Sequence, residues 1–409
     1  MQIKTDPSKQ PTRLPGNVIA LGVVSFFTDV STEIVYPLLP LFLTALGAGP
    51  AFIGLVEGVA EATASLLKLV AGWLSDQLGR RKGVVLFGYG LSSLTRPAMA
   101  LAGAPWQVLA VRFVDRVGKG FRGAPRDALI ADSTAPVLWG RAFGFHRAMD
   151  HAGAVVGPLV AFLLLQIFFQ STSSLEAFHT VFWAATIPAG LAILVLFLAV
   201  REIKPPSDRR RGPPRLTLKP FSLTFRSFLL VLVIFTLGNS SDAFLLLRAS
   251  DLGVAPAWVP ILWMVLHLVK SVSSMPGSGW SDRVGRQTTI LFGWAVYALI
   301  YIGFAMAWAS WQIWALFGLY GIYFGLTEGS ERAFIADLVP SELRSTAYGV
   351  HGFSVGLTAL PASLSTGFLW TQFGPQVAFL FGSALALLAI VMLITLPAFR
   401  GSPKMAGRD

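Results

Sequence analysis

The sequence predicts an all-α polytopic membrane protein, with twelve transmembrane helices in two pseudo-symmetric six-helix bundles. Three observations predict it. Of 409 residues, 54% are hydrophobic and only 13% charged, whereas soluble domains hold about a quarter charged residues. Apolar stretches of about twenty residues recur from end to end, each long enough to cross a ~30 Å hydrocarbon core. Short patterns of the first half return in register in the second.

The opening segment, Met1–Asn17, is polar and holds Lys4, Lys9 and Arg13. It lacks the short apolar core and small-residue cleavage site of a signal peptide. The first apolar segment is therefore expected to remain in the membrane. Helices are expected at 18–43, 52–74, 84–103, 106–125, 141–168 and 178–200. Six more are expected at 223–247, 258–276, 288–307, 311–331, 346–370 and 376–398. The longest internal hydrophilic stretch, Arg201–Pro220, contains Pro205-Pro206, Arg209-Arg210-Arg211 and Pro213-Pro214. Prolines and repelling charges make it a linker. The expected organisation is a bundle over 1–200, a cytoplasmic basic linker over 201–222 and a second bundle over 223–409.

The net charge is +11, and its placement is informative. With a cytoplasmic amino terminus, the loops on that side carry Arg80, Arg81, Lys82, Arg126, Arg141, Arg283, Arg286, Arg332 and Arg344, besides the basic linker. The opposite loops carry essentially Arg248 alone. By the positive-inside rule this predicts an inner-membrane protein with both termini cytoplasmic. The basicity is thus a topology signal, and it argues against a nucleic-acid partner. The chain has no cysteine, which excludes disulfides, thiolate catalysis and thiolate metal sites.

The repeat is specific. Ala128-Leu129-Ile130-Ala131-Asp132 returns as Ala333-Phe334-Ile335-Ala336-Asp337, 205 residues on. Ala142-Phe143-Gly144-Phe145-His146 returns at the same offset as Ala347-Tyr348-Gly349-Val350-His351. Ser75-Asp76, Gly79 and Arg80 return as Ser281-Asp282, Gly285 and Arg286, one residue further along. Parallel six-helix halves are a transporter architecture, with the solute site near the midplane between them.

After the second helix the chain reads Gly72-Trp73-Leu74-Ser75-Asp76-Gln77-Leu78-Gly79-Arg80-Arg81-Lys82. This resembles the G-x-L-(A/S)-D-x-x-G-R-R/K signature of the major facilitator superfamily. Glycine at Gly79 suits a short turn, and Asp76 can cap the next helix or pair with Arg80. The second copy, Ser278–Arg286, lacks the leading glycine. Helix four is similar to the family's R-x-x-Q-G-x-G pattern through Arg112, Gly118 and Gly120. It departs from that pattern at Asp115 and Arg116. Gly153-Ala154-Val155-Val156-Gly157-Pro158 is similar to the G-x-x-x-G-P core of the exporter motif. Small residues there allow close helix approach. The resemblance covers nearly the whole chain. It implies twelve helices, alternating access and usually proton coupling, with the Asp76 turn latching the halves in one conformation.

Charged side chains inside the membrane are expensive and mark candidate sites. Asp29 and Glu33, four apart, share a face of helix one. They are either a proton or cation site or structural partners of buried arginines. On helix two, Glu57 is expected near the outer surface as a solvated or gate residue, with Glu61 deeper. Arg112, Asp115, Arg116 and Lys119 follow helical spacing on helix four. Part of that set must pair internally, with Asp115 or with an acid of helix one, and a spare arginine would suit an anionic substrate group. On helix five, His146 shares a face with Asp150 and Arg147 with His151, which suits a proton relay or a gate contact. Asn239 and Asp242 make helix seven locally polar, and His267 and Lys270 lie mid-membrane on helix eight. Arg126 with Asp127, and Glu331 with Arg332, are expected as salt-bridge gates. They join Gly72, Asp76, Gly79, Arg80, Arg81, Asp282, Arg286 and His351 in the conformational set. Tryptophans and phenylalanines are expected mostly as interface belts and packing.

These residues indicate a secondary transporter, most simply a proton-coupled exporter of a small organic compound. It would act as a monomer, without a bound cofactor, with protons as coupling ion. One alternative is export of a divalent metal or metal chelate through Asp29, Glu33, His146 and Asp150. Another is uptake of an anionic metabolite through Arg112, Arg116 and Lys270. A sensor or scaffold would not need the intact Gly72–Arg81 turn. No nucleophile motif or phosphate loop supports an enzyme.

Overall fold

The computed structural model describes residues 13–78, 80–135, 138–168, 174–203, 218–340 and 343–400. Twelve helical spans cross the bundle. In the first half they are α1 (Gly16–Ala45), α2 (Pro50–Leu78), α3 (Arg81–Ala100), α4 (Pro105–Asp132), α5 (Trp139–Phe168) and α6 (Ser174–Ala199). In the second they are α7 (Leu223–Asp251), α8 (Val259–Val284), α9 (Arg286–Met306), α10 (Ser310–Leu338), α11 (Arg344–Phe373) and α12 (Pro375–Thr395). Eight spans are long and apolar enough to cross a membrane by length and composition alone. The other four, α2, α3, α4 and α10, are diluted by polar residues. Several of those, Glu57, Arg96, Arg112, Asp115 and Arg116, are buried inside the protein. The chain is a multi-pass membrane protein.

The helices outrun the apolar pattern at one face. α2 runs to Leu78, α4 to Asp132, α8 to Val284 and α10 to Leu338, each several residues past the expected end. Charged residues there end the hydropathy signal, yet the backbone hydrogen-bond ladder continues into water without penalty. This face holds Arg80, Arg81, Arg201 and Arg286 and is termed the basic face; the other is the far face. Three spans expected to be continuous are interrupted, α6 briefly at Ala185 between Ala184 and Thr186. α1 passes through a 3₁₀ turn at Tyr36–Leu38, where Pro37 and Pro40 remove backbone donors. α7 unwinds at Asn239-Ser240-Ser241 between Gly238 and Ala243.

Hydrogen bonds repeat the sequence symmetry. Gln107 Oε1 accepts the Gly103 and Ala104 N–H groups at 2.7 and 3.1 Å, boxing the start of α4. Gln312 does the same for Trp308 and Ala309 at the start of α10, at 2.9 and 3.1 Å. At the basic face Arg81 pairs with Asp132 at 3.0 Å, and Arg286 pairs with Asp337. The ion-pairing equivalent of Arg286 is therefore Arg81, although the sequence match aligned it with Arg80. The turn into α9 needs Gly285, whose φ of +93° is open to glycine. Its counterpart Gly79 lies outside the described residues, as do most of the linker (204–217) and the chain ends.

Each half is knit by equivalent contacts: α1 with α5, α3 with α4 and α2 with α4, then α7 with α11, α9 with α10 and α8 with α10. The halves meet along α2 with α11 and α5 with α8. Further cross-half contacts cluster at the far face, where the end of α1 meets α7 and α8. Phe162 of α5 packs there against Trp258 with ring centroids 4.9 Å apart and planes tilted by 51°. That end of the interface is closed.

Candidate functional site

Between the halves lies a cavity of two adjoining lobes, of about 420 and 530 Å³, which share Glu61 and Lys270 in their walls. The first lobe reaches the basic-face ends of α4 and α5 through Arg126, Asp127 and Arg147. The second is lined by the unwound turn of α7 and by α10 and α11.

Asp29 and Glu33 of α1 line the first lobe, and α5 fixes their position. A Cβ on Gly153 would stand 2.6 Å from the Phe26 carbonyl oxygen and 2.9 Å from Asp29 Cβ. One on Gly157 would stand 2.7 Å from the Val30 oxygen and 2.8 Å from Glu33 Cβ. The glycine spacing thus lets α5 touch the backbone of α1 directly beneath the two acids. Glu33 Oε2 accepts the indole N–H of Trp263 from α8 at 2.7 Å, a bond that crosses the halves.

Behind Arg116 lies a buried charge cluster. Arg112 pairs with Glu57 at 2.7 Å and lies 3.7 Å from Asp115. Arg96 of α3 pairs with Asp115 at 3.2 Å and donates to Thr32 at 2.9 Å. Arg116 approaches Asp115 only to 4.0 Å. One expectation is corrected and another sharpened. Glu57 is not solvated at the outer surface but buried as the partner of Arg112, because α2 packs against α4 there. Arg112 pairs with Asp115 as expected, but its closer acid, Glu57, comes from helix two and not from helix one. Arg96 had no periodic signal in the sequence; only its isolation as a membrane-embedded cation could have flagged it. Ser241 of α7 donates to the second oxygen of Glu57 at 3.4 Å, a further bond across the halves.

His146 is buried, bonded through Nε2 to Ser25 at 2.8 Å and lying 3.4 Å from Asp150 through Nδ1. Ser25 also accepts from Arg126 at 3.3 Å, and Arg126 pairs with Asp127 at 2.9 Å. Asp150, Arg147, His151 and His267 line the first lobe. The repeat mate His351 lacks this setting. Val355 stands where an acid would be needed, and the buried His351 Nε2 has no hydrogen-bond partner. The two histidines are therefore not a symmetric pair. Among the described residues no three His, Asp or Glu side chains are grouped to hold a metal ion. The alternative metal set of Asp29, Glu33, His146 and Asp150 is not assembled.

In the second lobe, Asp242 accepts from Tyr320 at 2.8 Å and Asn239 lies 3.5 Å from the hydroxyls of Tyr297 and Tyr323. Glu331 does not pair with Arg332 as expected. It turns inward and accepts the indole N–H of Trp294 at 3.0 Å, while Arg332 lies 3.6 Å from Glu328. Lys270 pairs with Glu328 at 3.0 Å and lies over the Phe324 ring at 4.3 Å. Phe235, Tyr297, Tyr301, Tyr320 and Tyr323 pack together behind and beside the lobe. Phe235 and Tyr323 of this cluster line the cavity, and the sequence had not singled out its tyrosines. Of the gate set, Gly72 packs on Ala124 of α4, and Arg80 and Asp282 are exposed at the basic face.

Comparison with known proteins agrees with this architecture. The family model for the Major Facilitator Superfamily matches residues 21–360 and 243–408. An uncharacterised MFS-type transporter of Methanocaldococcus jannaschii is 34% identical over 93% of this chain and 95% of its own length. The multidrug resistance protein MdtH of Proteus mirabilis is 26% identical over 64% of this chain and 62% of its own. Among solved structures, the nucleoside transporter NupG superposes with a TM-score of 0.74 at 14% identity, covering 94% of this chain and 99% of that one. A POT family transporter bound to 5-aminolevulinic acid gives 0.75 at 14% identity, covering 93% and 95%. At such identities the structural likenesses speak for the fold alone. The fold, the cavity between its halves and the family match together make this chain a member of the Major Facilitator Superfamily, a secondary transporter and not an enzyme.

Proposed function

We propose that the protein exports a small organic compound in exchange for protons, acting as a monomer in the inner membrane. The basic face is then cytoplasmic, with both termini and the 201–222 linker on that side between bundles 1–200 and 223–409. One observation carries the coupling: Asp29, Glu33, Asp242 and Glu331 line the cavity with no ion-pair partner among the described residues. A membrane-embedded carboxylate without a cation is costly as an anion and readily takes a proton. Asp150, bonded to His146, extends the set towards the basic face. The cavity's opening towards that face supports loading from the cytoplasm, and the name of the MdtH relative supports efflux. The gate residues Asp76, Arg81, Arg126, Asp127, Asp282 and Arg286 would set the exchange between conformations.

The test uses protein in liposomes with an imposed pH gradient. Substrate-driven proton movement should occur in the wild type and vanish in Asp29→Asn or Glu33→Gln, while substrate exchange without a gradient persists. Transport indifferent to a collapsed gradient would refute proton coupling.

A further inference from the structure

The cavity is electrically lopsided. On the amino-terminal half, Arg96, Arg112 and Arg116 share two carboxylates, Glu57 and Asp115, which leaves one positive charge over. Arg116, at the cavity wall, has a buried Nε without a hydrogen-bond partner. One turn on, Lys119 lines the first lobe with no ion pair among the described residues. A further turn on, Arg122 lies with its guanidinium 4.6 Å over the Tyr89 ring, and its buried Nη1 has no partner. These three cations, at successive spacings of three, form a ladder on one face of α4. The acids facing them are Asp29, Glu33, Glu61 and Asp150. Against those four carboxylates stand five cations: Lys119 and Arg122, then Lys68 and Arg147, which have no ion pair among the described residues, and the Arg116 surplus. Positive charge is in excess.

The carboxyl-terminal half shows the reverse. Asp242 and Glu331 are held by neutral donors, the Tyr320 hydroxyl and the Trp294 indole. Lys270, on that wall, turns to Glu328, which also draws the exposed Arg332. Phe235, Tyr323 and Phe324 line the same lobe. A carboxylate beside aromatic rings is the chemistry that recognises an organic ammonium. Unsatisfied guanidinium donors beside an ammonium are the chemistry that recognises an oxyanion.

We infer that the transported compound is dipolar, with a cationic nitrogen at Asp242, an oxyanion on the α4 ladder and an apolar or aromatic body between. This rests on the reading of the cavity as a transport site. It also supplies a reason for exchange with protons, since a proton on Asp242 removes the partner of the substrate's nitrogen. A dipolar compound spans both halves, so its departure frees both at once.

The experiment measures thermal stabilisation of the purified full chain by four compounds on one scaffold. They are para-(aminoethyl)benzoate, its phosphonate analogue, phenethylamine, which lacks the acid, and para-ethylbenzoate, which lacks the amine. One or both dipolar compounds should stabilise saturably, and each singly charged analogue should bind about tenfold more weakly or worse. Which dipolar compound binds better separates a carboxylate from a phosphate-type group. Asp242→Asn should weaken the dipolar compound and phenethylamine and leave para-ethylbenzoate unchanged, which also shows that the variant is folded. Lys119→Gln should weaken the dipolar compound and para-ethylbenzoate alone. Singly charged analogues binding as well as the dipolar ones would overturn the inference, as would stabilisation by none of the four or equal weakening of all by Asp242→Asn. Binding in the expected pattern without gradient-driven transport would sink the proton-exchange reading and leave this one standing. Gradient-driven transport of singly charged compounds alone would do the reverse.

Discussion

Glu57 and Arg112 meet at 2.7 Å with both side chains buried, so removing one partner strands the other's charge. Glu57→Gln is expected to destabilise the protein by about 3–5 kcal/mol. A melting curve of the purified variant checks this, and an unchanged midpoint would mean that Asp115 alone satisfies Arg112. Glu33 offers a milder case. Its bond to Trp263 is one of the few polar ties across the halves near the closed far end. Trp263→Phe keeps the ring and removes the donor, which costs about 1.5–3 kcal/mol for a bond to a charged group. The lost bond should shift the population towards a far-face-open state. Because the chain has no native cysteine, a single cysteine placed along α7 in the second lobe would report this as faster labelling from the far side. The same labelling rate in both backgrounds would show that Trp263 is not a gate contact. Much of this polar interior was legible: Asp29, Glu33, Glu61, Arg116 and Lys270 all line the cavity. Their partners were not. Which acid an arginine selects depends on helix rotation and tilt, and a linear pattern holds neither.

Helix α5 shows how packing and chemistry share one surface. Gly153 and Gly157 face the backbone of α1 where it carries Asp29 and Glu33. Gly157→Ala should drive the helices apart at an overpacking cost of about 1–3 kcal/mol. It should also impair gradient-driven transport more than its stability loss explains, by moving Glu33. Wild-type transport together with a lowered melting point would separate the two roles and refute this coupling. The glycine spacing was readable in the sequence, and so was the close approach it permits. The interruption of α7 was only half readable. Asn239, Ser240 and Asp242 announced a polar stretch, but a polar run can stay helical. The unwinding follows from tertiary partners, with Tyr297 donating to the Gly238 carbonyl and Tyr320 to Asp242. Helix ends at the basic face were under-read for the opposite reason, since a helix that leaves the bilayer keeps its backbone bonds while losing its apolar signature.

Across the whole molecule, orientation is the first thing to check. A cysteine at Lys219 should react with a membrane-impermeant thiol reagent only after cells are opened, and one at Trp308 should react in intact cells. The opposite pattern would invert the topology. The twelve-helix, two-half architecture was the most legible feature, because hydropathy and a 205-residue offset are properties of the chain itself. The shape of the cavity was least legible, because it belongs to the interface and each wall is drawn from several helices. The paired hydrogen bonds of the repeat have one further consequence. Gln107 and Gln312, and the Arg81–Asp132 and Arg286–Asp337 pairs, give each half its own complete set of fastenings. The covalent connection is then needed only to keep the halves at high local concentration. Two separate polypeptides, cut within residues 204–217 and produced together, should find one another in the bilayer along α2–α11 and α5–α8. They should co-purify as an equimolar pair that melts as one unit, whereas two independent melting transitions would show that the halves are bound chiefly by their tether.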